Sequence, residues 1–185
     1  MNQNQDITIT ALGTRQSLWG EGPIWWKNAL YYVDIEGKAI VRLDPQSGDE
    51  RVWQLDQRIG CIAPCSDGHL LYAGDRGIAH FNLETEVSVA LCDPETNYPD
   101  NRFNDGKCDP SGRFWAGTIN TKKVAGTAAL YCLESDQKIT LKLSGLTNSN
   151  GLAWSSDGSR FFHIDTPRRS IRSYAYSADC AQIDA

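Results

Sequence analysis

The amino-acid sequence predicts an all-β fold, a β-propeller made of repeated small sheets. The composition favours strands, because the 185-residue chain has six Trp and seven Tyr but only one Met, together with 16 Gly. A turn with Asp or Ser before Gly also recurs between apolar stretches, and its glycines Gly68, Gly112 and Gly158 are 44 and 46 residues apart. Repeats of about 40–50 residues made of short strands are typical of propeller blades.

Each repeat contains strand-like stretches joined by turns. The sequence predicts these stretches at residues 23–34, 39–44 and 51–55 in the first repeat, 62–74 and 77–83 in the second, 107–117 and 129–133 in the third, and 152–165 and 170–176 in the fourth. Helical repeats of similar length are excluded, because apolar residues alternate at period two and Gly and Pro interrupt every unit.

The length of the chain accommodates about four blades, and we therefore expect one propeller domain over residues 1–185. Closed propellers have 4 to 8 blades. The fourth repeat reaches residues 180–185 where its outer strand is due, so we expect a domain that is incomplete at its C-terminus. Open sheet edges in such a domain would favour self-association.

Charge and hydropathy exclude two classes of partner. The net charge is −5, with 18 basic against 23 acidic residues, whereas a protein that binds nucleic-acid phosphates carries a basic patch. No apolar run approaches the roughly 20 residues that cross a bilayer, and residues 1–6 lack the basic and apolar parts of a secretory signal. We expect a cytoplasmic protein without nucleic-acid or membrane partners.

The cysteines predict neither disulfides nor a zinc site. Without an export signal, free buried thiols are the better interpretation of Cys61, Cys65, Cys92, Cys108, Cys132 and Cys180. The sequence contains no Cys-x-x-Cys, and no histidine stands at a ligand-like spacing from a cysteine.

Three polar segments are predicted to lie in the loops that lead into inner strands. They contain Glu21 between two glycines, Arg102 and Asn104 before an Asp-Gly pair, and Asn150 before a glycine. Taken singly, an Asn-Gly pair is a common turn and an isolated Glu is usually solvated. Their shared position in successive repeats favours convergence at one end of the central channel, where carboxylate and amide oxygens suit a hard cation such as Ca²⁺, Mg²⁺ or Mn²⁺.

At these segments the sequence resembles a known family. Residues 18–183 are similar, in the same order, to the SMP-30/gluconolactonase/regucalcin family, and the similarity is strongest at residues 20–25, 30–35, 102–107, 109–118, 149–154 and 162–165. The resemblance implies a six-bladed propeller of the lactonase type, of which this chain would supply about four blades. It also implies a metal-dependent hydrolase that converts sugar lactones such as aldonolactones to aldonic acids.

The resemblance also implies roles for particular residues. Glu21 and Asn150 would bind one divalent metal ion, with Ca²⁺ as the first choice and Zn²⁺, Mg²⁺ or Mn²⁺ as alternatives, and Arg102 and Asn104 would contact the sugar lactone. No catalytic residue is assigned, because the general-base aspartate of the family belongs to a Pro-Asp-Gly motif beyond the end of this sequence. The acidic residue that several members carry just after the pair at residues 117–118 is absent, so the sugar selectivity can differ.

Three alternatives stay open from the sequence. The chain could be a non-catalytic truncated fragment, because two protein oxygens alone would hold Ca²⁺ weakly against its usual 6–8 oxygen ligands. It could be a calcium-binding, regucalcin-like regulatory protein. It could also be an esterase or phosphotriesterase on a lactonase-like propeller.

Overall fold

The structure, a computed structural model, describes residues 8–184 and consists of four antiparallel sheets of four strands each. We call them blades 1 to 4 in chain order. The strands are β1 (Gly20–Trp26), β2 (Ala29–Asp34), β3 (Ala39–Leu43) and β4 (Glu50–Gln54) in blade 1; β5 (Ile59–Pro64), β6 (Leu70–Gly74), β7 (Gly77–Phe81) and β8 (Ser88–Cys92) in blade 2; β9 (Asn101–Cys108), β10 (Phe114–Asn120), β11 (Ala128–Leu133) and β12 (Ile139–Leu146) in blade 3; and β13 (Ser149–Trp154), β14 (Arg160–Asp165), β15 (Ile171–Ser177) and β16 (Gln182–Asp184) in blade 4.

Every blade is a simple meander, in which each strand pairs with the next one along the chain. The first strands of successive blades are neighbours, because β5 contacts both β1 and β9, and β9 contacts β13. The prediction of an all-β propeller with four blades is confirmed. Among the described residues, a 3₁₀ turn at Thr166–Arg168 is the one helical element, and no helix is long and apolar enough to cross a membrane.

The outer strand of the fourth blade is due at residues 180–185 in the sequence, and it forms there: β16 pairs with β15, with Ile183 opposite Tyr176. The strand has only three residues, and its side chains are exposed or half-buried, so the local sequence carries little of the apolar alternation that predicts a strand.

The core consists of three apolar layers, one between each pair of neighbouring blades. The side chains of each layer come from the facing surfaces of two sheets, as in stacked sheets generally. Blades 3 and 4 pack around Trp115, whose ring lies 5.2 Å from Phe161 and 5.7 Å from Trp154 between centroids. Because each layer is shared, a blade buries its apolar surface only against its neighbours.

A buried carboxylate also joins blades 3 and 4. Asp109 accepts hydrogen bonds from Tyr176 Oη (2.7 Å), Trp115 Nε1 (3.0 Å) and Arg113 Nε (2.7 Å). Burial alone would raise the pKa of Asp109, but these donors outweigh it and lower the pKa below its usual value. The turn that contains Asp109 and Gly112 therefore also stabilises the contact between blades 3 and 4.

In three blades an aspartate at the end of the second strand holds the segment that leads into the first strand. We call this arrangement the aspartate clasp. Asp34 accepts hydrogen bonds from the backbone N–H groups of Leu18 (3.1 Å) and Trp19 (2.9 Å), just before β1, and from Arg15 Nη2 (3.0 Å). Asp34 itself is only 1% exposed.

The clasp recurs in blades 2 and 4. In blade 4, Asp165 accepts from the N–H groups of residues 147 and 148 at 3.1 and 2.9 Å, and Arg168 completes the arrangement at 3.0 Å. In blade 2, Asp75 accepts the N–H and the guanidinium Nε of Arg58, each at 3.0 Å. Blade 3 differs, because Asn120 instead donates from Nδ2 to Asn101 Oδ1 at 2.8 Å.

We predict that Asp34→Asn destabilises the protein by about 2–3 kcal/mol at pH 7, because one carboxylate oxygen becomes an NH₂ group that faces N–H donors. Burial would raise the pKa of Asp34, but the backbone donors and Arg15 lower it overall. The contribution of Asp34 is therefore complete above the ordinary aspartate pKa of about 3.9 and is lost as the pH falls through the lower folded-state pKa.

Urea unfolding at pH 7 and at pH 3 measures this difference, which should shrink at pH 3. The matched control is Asp136→Asn in an exposed turn, where the side chain accepts one N–H from Lys138, and we expect a change within about 0.5 kcal/mol. Equal stability of Asp34→Asn and the parent at pH 7 would contradict the role of the clasp.

Candidate functional site

The first strand of every blade carries a β-bulge. In each pairing between first and second strands, one or two residues of the first strand have no partner: the bulge falls at Gly22–Pro23 in β1, at Gly60 in β5, at Asn104 in β9 and at Gly151 in β13. Bulges bend a strand and redirect its side chains, and they are common next to active sites. In blades 1, 2 and 4 the bulge directly follows the pair made by the residue before the clasp aspartate, and in blade 3 it lies one pair further along, so every inner strand changes direction near the propeller centre.

Glycine is required at these bulges for two different reasons. Gly22 and Gly151 have φ angles of +56° and +55°, which L side chains rarely adopt. Gly60 instead faces the backbone of blade 3, where a Cβ atom would lie 2.4 Å from Phe103 O and 2.7 Å from Asn104 O. The bulge of β9 thus fits against β5 because β5 has no side chain there.

Glu21 and Asn150 occupy equivalent positions, since each immediately precedes the bulge of its strand. Glu21 is exposed, and its Oε2 accepts the N–H of Gly22 at 3.3 Å. Asn150 is half-buried; its Oδ1 accepts the N–H of Gly151 at 3.1 Å, and its Nδ2 donates to Thr166 Oγ1 at 3.3 Å. Each oxygen keeps a lone pair for a further partner, because carboxylate and amide oxygens accept more than one hydrogen bond.

Asn104 is itself the bulge residue of β9 and joins blade 3 to blade 4. Its Nδ2 donates to Asn148 Oδ1 (2.9 Å) and to Ser149 O (3.1 Å). Its Oδ1 accepts a longer hydrogen bond from Arg102 Nη1 at 3.4 Å. Asn104 is therefore oriented by both blades, with its carbonyl oxygen turned toward Arg102.

Arg102 is a buried cation without an anionic partner among the described residues. Its side chain is 5% exposed, Nη1 donates to Phe103 O at 2.8 Å, and Nε has no hydrogen-bond partner. Burial, together with the nearby positive charge of Arg58, lowers the pKa of Arg102. A buried guanidinium with unused donors is unfavourable unless it has a partner, so this side chain is suited to a ligand.

Asp105 is a site residue that the sequence analysis did not single out. Its Oδ2 accepts the N–H of Gly151 at 2.7 Å across the blade boundary, and its Oδ1 accepts the N–H of Gly106 at 2.8 Å. Burial raises the pKa of Asp105, and the negative charge of Glu21 raises it further. The signal available in the sequence was its place directly after Asn104 in the segment of residues 102–107, but the contact with Gly151 depends on how two blades pack.

A cavity of about 250 Å³ lies where blades 1, 3 and 4 meet, and Glu21, Asp105 and Gly151 are among its lining residues. Glu21 and Asp105 bring two carboxylates to this cavity, Lys107 also lines it, and Asn150, the residue before Gly151, offers an amide oxygen. Such donors fit a hard divalent cation, and a cation there would relieve the repulsion between the two carboxylates. The residues present therefore fit the metal ion that the family resemblance implies.

The expected positions of the site residues need one correction. Glu21, Arg102, Asn104 and Asn150 were expected in loops that precede inner strands, but all four lie within β1, β9 or β13. The reason is the bulge, which keeps the strand paired on both sides while it interrupts the apolar alternation that marks a strand in the sequence.

Oxygen donors lie at bulges of the inner strands, around a cavity between blades 1, 3 and 4. These features place the chain in the class of propeller proteins that have their site near the propeller axis. Residues 19–185 match the family model described as SMP-30/Gluconolactonase/LRE-like region. The chain belongs to this family, as its sequence motifs predict.

Individual relatives agree with this assignment. The chain is 30% identical over 174 residues to 6-deoxy-6-sulfogluconolactonase of Pseudomonas putida, which covers 93% of this chain and 60% of that protein. It is 33% identical over 172 residues to regucalcin of Oryctolagus cuniculus, covering 89% and 57% of the two chains. The chain thus spans less than two thirds of the length of the curated relatives it matches.

A solved structure is similar over the same part of the chain. The crystal structure of regucalcin from Agrobacterium tumefaciens, described as a calcium-binding protein, superposes with a TM-score of 0.86 at 26% identity. The match covers 91% of this chain and 58% of that one.

We predict that Gly60→Ala destabilises the protein by about 2–3 kcal/mol, because the added Cβ collides with backbone atoms of β9 that cannot rotate away. Gly20→Ala is the control: its Cβ would lie 3.5 Å from Ser17 Cβ, an ordinary contact, and we expect a change within about 0.5 kcal/mol. Thermal and urea unfolding measure both. Equal stability of the two variants would contradict the tight fit between β5 and β9.

Proposed function

We propose that the protein is a metal-dependent hydrolase that opens sugar lactones, such as aldonolactones, to aldonic acids. The observation that carries the proposal is the set of oxygen donors at the bulges of β1 and β13, together with the buried guanidinium of Arg102, which has no anionic partner among the described residues. Membership of the gluconolactonase family and the named lactonase relative support the reaction class.

In this proposal Glu21 and Asn150 bind the metal ion, and Ca²⁺ is the first choice because every donor is an oxygen. Zn²⁺, Mg²⁺ and Mn²⁺ are the alternatives. When bound, a divalent cation polarises a lactone carbonyl and stabilises the negative charge that develops on its oxygen. Asp105 positions Asn150 by holding the N–H of Gly151, and it adds a second negative charge near Glu21.

Arg102 and Asn104 bind the sugar lactone. The guanidinium offers Nε and its remaining N–H groups to ring hydroxyls or to the carboxylate that forms when the ring opens, and forked hydrogen bonds of this kind are strong. Asn104 is fixed by Asn148 and Ser149, so its orientation is set before substrate arrives. The general base that activates water is not assigned to a residue of this chain. Water adds to the carbonyl carbon and the ring C–O bond breaks, which yields a hydroxy acid.

A second candidate is a calcium-binding protein without turnover, because a solved relative is described as a calcium-binding protein. It would use the same oxygen donors, Glu21 and Asn150, so metal binding alone does not separate it from a lactonase. Turnover does. Cytoplasmic location and self-association through open sheet edges stay predictions.

We predict that Glu21→Gln lowers the rate of D-glucono-δ-lactone hydrolysis by at least about 100-fold, because a neutral amide replaces a charged metal ligand. Rates are measured with Ca²⁺, Zn²⁺, Mg²⁺ or Mn²⁺ and with a chelator. The control is Glu84→Gln on the exposed surface of blade 2, which should leave the rate unchanged. A metal-dependent rate that survives Glu21→Gln would exclude Glu21 as a ligand, and tight Ca²⁺ binding by the parent without turnover would favour the second candidate.

We predict that Arg102→Lys lowers kcat/KM for the lactone by about 10- to 100-fold, the equivalent of losing a charged hydrogen bond of about 1.5–3 kcal/mol. Lysine keeps the charge but cannot form the planar fork. The metal affinity should stay within about threefold, because Arg102 donates hydrogen bonds and offers no metal ligand. Isothermal titration with the metal separates the two effects; an equal loss of metal affinity would show that the substitution disturbs the whole site.

A further inference from the structure

A second group of ligating side chains lies in blade 2, outside the site described above. The Sγ of Cys65, a carboxylate oxygen of Asp67 and a ring nitrogen of His80 all lie within 4.8 Å of one another. His80 Nε2 is 2.8 Å from Asp67 Oδ2. Cys65 and His80 are half-buried and Asp67 is exposed, so the three atoms meet at the edge of the protein interior.

The turn between β5 and β6 holds two of these residues in place. The N–H of Cys65 donates to His69 O at 2.9 Å, which closes the turn. Asp67 Oδ1 accepts the N–H of His69 at 3.0 Å, and this leaves Oδ2 free to face His80. The pairing of β6 with β7 then sets His80 opposite Leu71. The three side chains are therefore brought together by backbone that is already ordered.

A second histidine supports His80. The ring of His69 packs edge-on against that of His80, with centroids 5.6 Å apart and an interplanar angle of 82°. His69 is itself fixed, because its Nδ1 accepts the N–H of Leu83 at 3.2 Å and its Nε2 lies 3.3 Å from Asn82 Nδ2. The packing of this fixed ring limits the orientations open to the His80 side chain.

The same turn in blade 4 has no such opening for a ligand. There Ser155 stands in place of Cys65 and Asp157 in place of Asp67, and the hydroxyls of Ser155 and Ser159 donate to Asp157 Oδ1 at 2.6 and 2.8 Å. In blade 4 three donors of the turn thus share Oδ1 of the aspartate, and the turn holds neither a thiol nor an imidazole. In blade 2 a thiol and an imidazole face the aspartate instead.

A cavity of about 790 Å³ between blades 2 and 3 opens beside this group, and Cys65 and His80 line it together with Cys108 and Phe114. It shares no lining residue with the cavity at Glu21. The space provides room for a further ligand next to the three side chains. Burial raises the pKa of the Cys65 thiol to about 11, which argues against a free thiolate nucleophile at neutral pH.

We propose that Cys65, Asp67 and His80 bind a Zn²⁺ ion, with the fourth coordination position open to the cavity between blades 2 and 3. Thiolate, imidazole and carboxylate are the three ligand types that Zn²⁺ takes in proteins, and three protein ligands with a fourth position open to water or another ligand are typical of catalytic zinc sites. Two ligands at zinc distances in a tetrahedron are about 3.3 Å apart, so the 2.8 Å between His80 and Asp67 needs to open by roughly half an ångström.

This site does not depend on the lactonase proposal. Its ligands include sulfur and nitrogen, whereas the donors around Glu21 are all oxygen, so the two sites prefer different metals. Co²⁺, which replaces Zn²⁺ in tetrahedral sites, gives a thiolate-to-metal charge-transfer band only where a cysteine is a ligand. The band therefore reports a site with a cysteine ligand and does not arise from the oxygen site at Glu21.

The experiment is a titration with Co²⁺ of the protein carrying Cys180→Ser, which removes the exposed thiol. We expect a charge-transfer band that saturates at one equivalent of Co²⁺ and disappears when Zn²⁺ is added. Adding Cys65→Ser should abolish the band. Asp67→Asn and His80→Gln should each weaken Co²⁺ binding at least tenfold. Asp67→Asn keeps a side-chain oxygen that can accept the N–H of His69, so the turn should stay intact.

Two control variants make the test specific, and circular dichroism checks that each is folded. Cys108→Ser changes another thiol of the same cavity, and Glu21→Gln changes the oxygen site; both should keep the band and the affinity. The proposal is overturned by a parent without a band, by a band that persists in folded Cys65→Ser, or by equal loss of the band in Cys108→Ser.

Discussion

The aspartate clasp is the interaction on which the site geometry depends. In blades 1 and 4 a buried carboxylate, Asp34 or Asp165, accepts the two N–H groups that precede the inner strand, and an arginine neutralises it. A buried carboxylate is stable only when its acceptors are filled. The chain therefore has little freedom at residues 18–19 and 147–148. Glu21 and Asn150 follow within three residues, so each proposed metal ligand starts from a backbone position that a buried charge holds in place.

The bulges determine how the residues after these fixed backbone positions face the candidate site. A regular strand would alternate its side chains between the two faces of the blade, whereas a bulge after Glu21 and after Asn150 turns the next residues toward the cavity. The close approach of β5 and β9 at Gly60 completes the arrangement, because the bulge of β9 fits only against a residue without a side chain. The buried apolar layers hold the blades together, but backbone irregularities decide which polar atoms meet at the centre.

The sequence predicted the parts of this structure that local pattern controls. Short stretches of sequence determine the repeat period, the turn glycines and the alternating strands, and these features predict the four blades. Glu21 and Asn150 were named as metal ligands and Arg102 and Asn104 as substrate ligands through a family resemblance, and those roles stay predictions.

Asp105 was not named, because its contact with Gly151 crosses a blade boundary. The group of Cys65, Asp67 and His80 was missed for a similar reason: its histidine lies on a different strand, and spacing along the chain does not reveal cross-strand neighbours.

Comparison of the turns shows how repeated blades acquire different chemistry. The turn position occupied by Cys65 in blade 2 is Asp109 in blade 3 and Ser155 in blade 4. Where the position is buried between blades, Asp109 is surrounded by donors and becomes a structural link. In blade 4 the position is half-buried, and the Ser155 hydroxyl donates to the neighbouring Asp157. In blade 2 the position is equally half-buried but lines a cavity, and a thiol there has no strong partner, which suits the soft or borderline metal that we propose. The same backbone turn thus joins two blades in blade 3, hydrogen-bonds only within itself in blade 4, and in blade 2 holds the side chains that we propose bind a metal. The packing of the next blade decides between these outcomes.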